Sequence, residues 1–180
     1  MVMTYLECLK KYNTDYQIKK AIEEDTLFKL ENGLYSDRRY IPRETVLMKK
    51  YPHAVFTMNS ALYYHGLTDE IPQLYYLETD KNAAKISDAG VKQIFDNYKS
   101  LDMGTETKMY NGSEIKIFNR ERVLVEFLRS KKRQPLDFYK EVIRNYRRIV
   151  YDLDFQKIEE YALALPKTEM VLEAVQMEVL

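Results

Sequence analysis

The chain has 180 residues, of which 46% are hydrophobic and 31% charged, with five Gly and five Pro. That balance excludes a disordered or collagen-like chain and suits one ordinary domain or two small ones. Lys and Arg number 28, as do Asp and Glu, so no net field draws a polyanion and any nucleic-acid contact needs a local patch. Cys8 is the one cysteine, so no intramolecular disulfide forms, and it reads as a small buried apolar group. No apolar run approaches the roughly 20 residues of a membrane span. The opening MVMTYLECLKKYN lacks the parts of a signal peptide, so a cytoplasmic protein is expected.

Residues 1–12 place Val2, Tyr5, Leu6 and Leu9 at helical spacing, with Lys10 and Lys11 where the helix dipole favours cations, which predicts one short amphipathic helix. Asn13, Thr14 and Asp15 are N-cap candidates for a second helix with the stripe Ile18, Ala21 and Ile22. Asn32-Gly33, between residues 27–31 and 34–36, predicts a hairpin whose two turn residues both have positive φ. Helix, helix and hairpin are the parts of a small winged module. The charged run at 37–39 and Ile41-Pro42 interrupt periodicity and place its boundary near residue 40.

Beyond it a helix is expected over 44–50, a buried strand over 54–57, a helix over 60–65 closed by a left-handed Gly66, and a strand over 74–79. Residues 86–97 carry weak helical spacing, and strands over 105–110 and 114–118 flank a second turn pair, Asn111-Gly112. From Arg120 onward the pattern is helical, over 122–129, 136–150, 155–165 and 168–180. Leu124, Phe127 and Leu128 make one apolar face, and Ile158, Tyr161, Ala162 and Leu165 another. The expected class is α+β, a winged-helix-like N-terminal module followed by a mixed α/β domain with a helical C-terminal end.

Charge is uneven along the chain. Residues 120–148 hold ten cations against four anions, and 151–180 hold two cations against seven anions. The two segments either neutralise each other across a helix contact or leave Arg129, Lys131, Lys132, Arg133, Arg144, Arg147 and Arg148 as a nucleic-acid or partner surface.

Catalytic patterns are missing. His53 and His65 lack the neighbours of a zinc site, so no metal is expected. Ser60, His65 and Asp69 have the residue types of a hydrolytic triad, but one short helix and its cap do not converge them. There is no Gly-rich phosphate loop, no nucleophile elbow and no diagnostic carboxylate pair. A non-enzymatic protein without a cofactor is expected.

Ser60-Ala61-Leu62-Tyr63-Tyr64-His65-Gly66-Leu67, followed by Pro72, resembles the signature of the AbiEi family, the antitoxins of bacterial type IV abortive-infection toxin-antitoxin systems. Downstream, Asn119-Arg120-Glu121-Arg122-Val123-Leu124-Val125-Glu126-Phe127-Leu128 resembles the family's Glu-Arg-(Thr/Val)-Leu-(Leu/Val)-(Asp/Glu) helix, and the first hairpin, ending Asn-Gly-Leu-Tyr, resembles its wing. The resemblance implies a winged helix-turn-helix over 1–40 that binds operator DNA and represses its own operon, and an antitoxin domain over 41–180. It further implies phage defence through a nucleotidyltransferase-type toxin, opposed without a stable complex. Read physically, Ser60, His65, Gly66, Pro72, Glu121 and Arg122 are explained as scaffold, with Ser60 near a helix start.

DNA binding would use Tyr16, Gln17, Lys19 and Lys20 on the second helix, Lys29 on the wing, and Arg38 and Arg39 after it. Gln17 suits adenine and the lysines suit guanine or phosphate. Two helices rather than three precede the wing, and residues 1–40 hold seven cations against seven anions. The alternative is therefore a protein- or RNA-interaction module of the same fold that has lost DNA binding and acts through residues 129–148.

Overall fold

The first helix begins at Thr4, not at Met1. Thr4 Oγ1 accepts from the Glu7 N–H and the Glu7 carboxylate accepts from the Thr4 N–H, a complete capping box, so α1 is Tyr5–Tyr12. The residues before it form a strand, β1 (Val2–Thr4), because Val2 and Met3 are buried by pairing with a later strand and not by a helical stripe. The computed structural model describes all 180 residues and divides into two units, Met1–Pro52 with Met109–Ile115, and His53–Lys108 with Lys116–Leu180.

In the first unit Thr14 caps α2 (Asp15–Glu23), accepting from the Gln17 N–H at 3.2 Å. The hairpin β2 (Phe28–Glu31) and β3 (Leu34–Ser36) follows, and the sheet runs β1-β3-β2, antiparallel throughout. Of the turn pair only Gly33 has positive φ, at 77°; a register shift between Lys29 and Glu31 supplies the twist expected of a second such residue. Met3, Cys8, Ile18, Ala21, Leu27 and Tyr35 make the core. A second cluster joins Val2 and Leu34 to Val46 of α3 (Arg43–Lys50). That packing carries the unit past residue 40 to Pro52.

The second unit starts with β4 (Val55–Phe56) and α4 (Met58–Tyr64), then β5 (Tyr75–Asp80) and β6 (Val91–Asp96). β6 replaces the helical reading of 86–97: it lies parallel to β5 at the sheet edge, where the ladder and not its own pattern holds it. The amide of Gln93 organises the preceding loop, donating to Thr79 Oγ1 at 2.8 Å and accepting from the Ile86 N–H at 2.8 Å. β7 (Thr105–Tyr110) and β8 (Ser113–Phe118) complete the order β6-β5-β4-β8-β7. Here both turn residues have positive φ, 45° at Asn111 and 77° at Gly112, as expected of the second Asn-Gly pair.

Four helices close the chain: α5 (Arg120–Arg129), α6 (Leu136–Arg148), α7 (Phe155–Ala164) and α8 (Thr168–Ala174). Asn119 and Asp154 cap α5 and α7. The helix expected over 168–180 changes at its end into a π-helical turn, Val175–Val179. Phe56, Leu62, Leu77, Ile117, Leu124, Phe127 and Tyr146 are fully buried in this unit, and the α+β class holds. No helix is long and apolar enough to cross a membrane.

Candidate nucleic-acid interface

α2 has an inner stripe, Ile18 and Ala21, and an outer face of Tyr16, Gln17, Lys19 and Lys20, all exposed, with Tyr16 at 74%. Strand, helix, short turn, helix and hairpin follow in order, with α2 directly before β2 and β3. Lys29 is exposed on β2 and Arg38 just after β3. Arg39 is engaged within the fold, 3.3 Å from Asp25 and over the Phe28 ring at 5.4 Å.

Ion pairing changes what the neutral charge count means. Lys49 binds Glu7 at 2.7 Å, while Lys50 at 2.7 Å and Arg43 at 3.3 Å share Glu31. Lys20 is 3.7 Å from Glu24, and the N-terminal ammonium meets Asp37. With Asp25 on Arg39, these pairs take up Glu7, Glu24, Glu31 and Asp37 and leave Lys10, Lys11, Lys19, Lys29 and Arg38 with no carboxylate in ion-pair range, while Asp15, Glu23 and Glu114 have no cation in range. Three of the pairs use α3, which lies beyond the segment expected to form the module. The Lys49 ammonium, helped by the Thr4 amide, holds the Glu7 carboxyl down to about 2.

Ser60, His65, Gly66 and Pro72 come from α4 and the loop after it. Gly66 N–H donates to Tyr63 O at 3.0 Å and Leu67 N–H to Leu62 O at 2.8 Å, the two bonds of a Schellman cap, with Gly66 at φ 69° and Leu62 and Leu67 buried together. Ser60 does not start the helix. It is buried in the first turn, and its Oγ accepts from the Tyr76 N–H at 2.8 Å, tying α4 to β5. His65 Nε2 donates to Phe118 O at 2.7 Å and Nδ1 accepts from the Lys108 ammonium at 3.2 Å. Both bonds suit one neutral tautomer, and burial pushes the imidazole down to about 4. Ser60 and His65 thus have separate partners and form no nucleophile–base pair. Pro72 sits half-buried in the loop, where Thr68 Oγ1 and the Asp69 N–H both donate to one Glu141 oxygen.

Glu121 and Arg122 are buried at the start of α5. Glu121 accepts from the Asp154 N–H at 3.2 Å, fixing the start of α7. Arg122 is fully buried, pairs with Glu126 at 2.9 Å, donates to Ser100 Oγ at 2.9 Å and lies over the Phe118 ring at 4.7 Å. Glu78 lies 3.9 Å away, and burial with Glu126 beside it pushes that carboxyl up to about 8 although Arg122 pulls the other way. Reading by sequence missed Glu78, Ser100 and Glu126 as partners; the one local signal was an arginine followed directly by Val123, Leu124 and Val125. No group of His, Cys, Asp and Glu stands where it could hold a metal ion.

The basic segment is partly neutralised. Arg129 pairs with Glu126 at 2.7 Å, Lys131 with Glu178, and Arg147 donates to Glu178 O at 2.6 Å, while Arg148 donates to the Asn145 side chain at 3.2 Å. Lys132, Arg133 and Arg144 are exposed with no carboxylate in range.

The crystal structure of the RV2827C protein from Mycobacterium tuberculosis is similar over 98% of this chain and 71% of that one, with a TM-score of 0.67. The fold is shared. At 12% identity the likeness speaks for fold alone. Compared with models of protein families and with curated proteins, the chain matches none.

Proposed function

We propose that the chain is a cytoplasmic, non-enzymatic DNA-binding autorepressor and an antitoxin of the AbiEi kind. The observation that carries this reading is α2, which turns Ile18 and Ala21 inward and offers Gln17, Lys19 and Lys20 outward from a helix-turn-helix with a wing. The cations left without carboxylates in the first unit support it, since phosphate contacts dominate affinity for DNA. The antitoxin part rests on the motifs around His65 and Arg122, whose side chains hold the second unit together; a nucleotidyltransferase-type toxin is the functional counterpart, without a stable complex. Fluorescence anisotropy against the DNA upstream of the protein's own gene, beside a scrambled duplex, tests the first part. Sequence-selective, salt-sensitive binding is expected, and equal affinity for both duplexes overturns it. Growth of cells expressing the toxin, with and without this chain, tests the second.

The reading in which DNA binding has been lost is favoured by one observation, the exposed Lys132, Arg133 and Arg144 in the second unit. It predicts that the protein ignores its upstream DNA.

A further inference from the structure

α8 and its π-helical turn carry two apolar stripes. Val171, Val175 and Val179 are buried in the core of the second unit. Met170, Ala174 and Met177 lie at i, i+4 and i+7 on another face, Ala174 buried, Met170 half-buried and Met177 73% exposed. They form one wall of a cleft of about 810 Å³, completed by Leu128, Leu136 and Tyr139, with Leu136 65% exposed. A short helix ordinarily turns one stripe inward and leaves the other polar, so a second stripe bordering an open cleft points to an apolar occupant.

Charge narrows the choice. Lys131, Lys132 and Lys167 stand at the cleft. Lys131 is matched by Glu178, which also accepts from Tyr139 Oη at 2.8 Å, so this carboxylate is consumed within the fold. Lys167 donates only to a backbone carbonyl, Arg129 O at 2.7 Å, and Lys132 has no carboxylate in range, leaving Glu173 as the one lining acid without a cationic partner. We propose that this cleft receives an acidic amphipathic helix from a partner protein, apolar side chains against the methionine wall and carboxylates against Lys132 and Lys167. Flexible thioethers fit a groove that accepts helices, whereas an RNA strand needs a track of cations and stacking platforms along the floor. The inference goes beyond DNA recognition and rests on the second unit alone, so either stands if the other fails.

A labelled helical peptide of about 16 residues, with Leu at helical spacing and Glu elsewhere, is the probe. It is titrated beside a scrambled peptide of the same composition, a version with Lys for Glu, and a single-stranded RNA. The acidic helix is expected to bind alone among the four. Met177→Glu and Leu136→Glu, on opposite walls and both exposed, are each expected to weaken it by about tenfold or more with unchanged thermal unfolding. Lys132→Glu combined with Lys167→Glu is expected to shift preference toward the Lys peptide. Equal binding of the scrambled peptide or the RNA, no binding, or indifference to both wall substitutions overturns the proposal. A concentration-dependent dimer abolished by Met177→Glu would also overturn it, assigning the cleft to a second copy.

Discussion

Gly66 and Gly104 both take left-handed backbone, at φ 69° and 77°, for different reasons. A Cβ at Gly66 would meet nothing within 4 Å, so Gly66→Ala carries only the conformational cost of the Schellman cap, about 1 kcal/mol, and Gly66→Val somewhat more. At Gly104 a Cβ would come within 2.7 Å of Arg122 Cβ, forcing the buried arginine off its partners. Urea denaturation is expected to rank Gly104→Ala as clearly the more destabilising alanine substitution. Two other residues set pH limits. His65 falls from its ordinary 6.5 to about 4 in the fold, next to Lys108 and Arg120, so across that window the unfolded chain binds the extra proton and stability drops as pH falls. Glu78 rises from 4.5 to about 8 among Glu126, Asp96 and Arg122, so across that window the folded chain holds the extra proton and stability drops as pH rises. Chemical denaturation over a pH series is expected to show that alkaline decline, and Glu78→Gln to flatten it; an unchanged decline in the variant contradicts the assignment.

At the scale of elements, α3 is the piece that alters the first unit most. Its Val46 completes the cluster with Val2 and Leu34, and its cations take up Glu7 and Glu31. Val46→Ala is expected to lower stability by about 2 kcal/mol, from reduced burial plus the cavity left behind, read as a shift of the urea midpoint at constant slope. The α3 helix itself was legible from its spacing; its membership of the first unit was not, because packing partners are distant in sequence. β1 was hidden for a related reason. Val2 and Met3 fit a helical stripe as well as a strand, and only the Thr4-x-x-Glu7 capping box, present in the sequence, marks the true start of α1. β6 was unreadable in principle from Val91–Asp96 alone, since Lys92, Gln93 and Asp96 break any alternation and its hydrogen bonds come from β5. The Asn-Gly turns and the C-terminal helices were legible because their signals are local.

On the scale of the whole molecule, the total charge of zero conceals two distributions. Pairing in the first unit leaves Lys10, Lys11, Lys19, Lys29 and Arg38 beside the equally unpaired Asp15, Glu23 and Glu114, and pairing in the second leaves Lys132 and Lys167 at an apolar cleft. Of the residues expected to read DNA, Tyr16, Gln17, Lys19 and Lys20 are exposed on the outer face of α2 and Lys29 and Arg38 on and just after the hairpin, while Arg39 is held by Asp25 and Phe28. Ser60, His65, Gly66, Glu121 and Arg122 fill caps and hydrogen-bonded networks within the second unit. The direct test of the central claim is the salt dependence of binding to the upstream duplex for the native chain and for Lys19→Ala with Lys20→Ala. The slope of log affinity against log salt is expected to shrink by up to about two in the double variant, one for each phosphate that a lysine no longer neutralises. An identical slope would contradict the placement of DNA on α2.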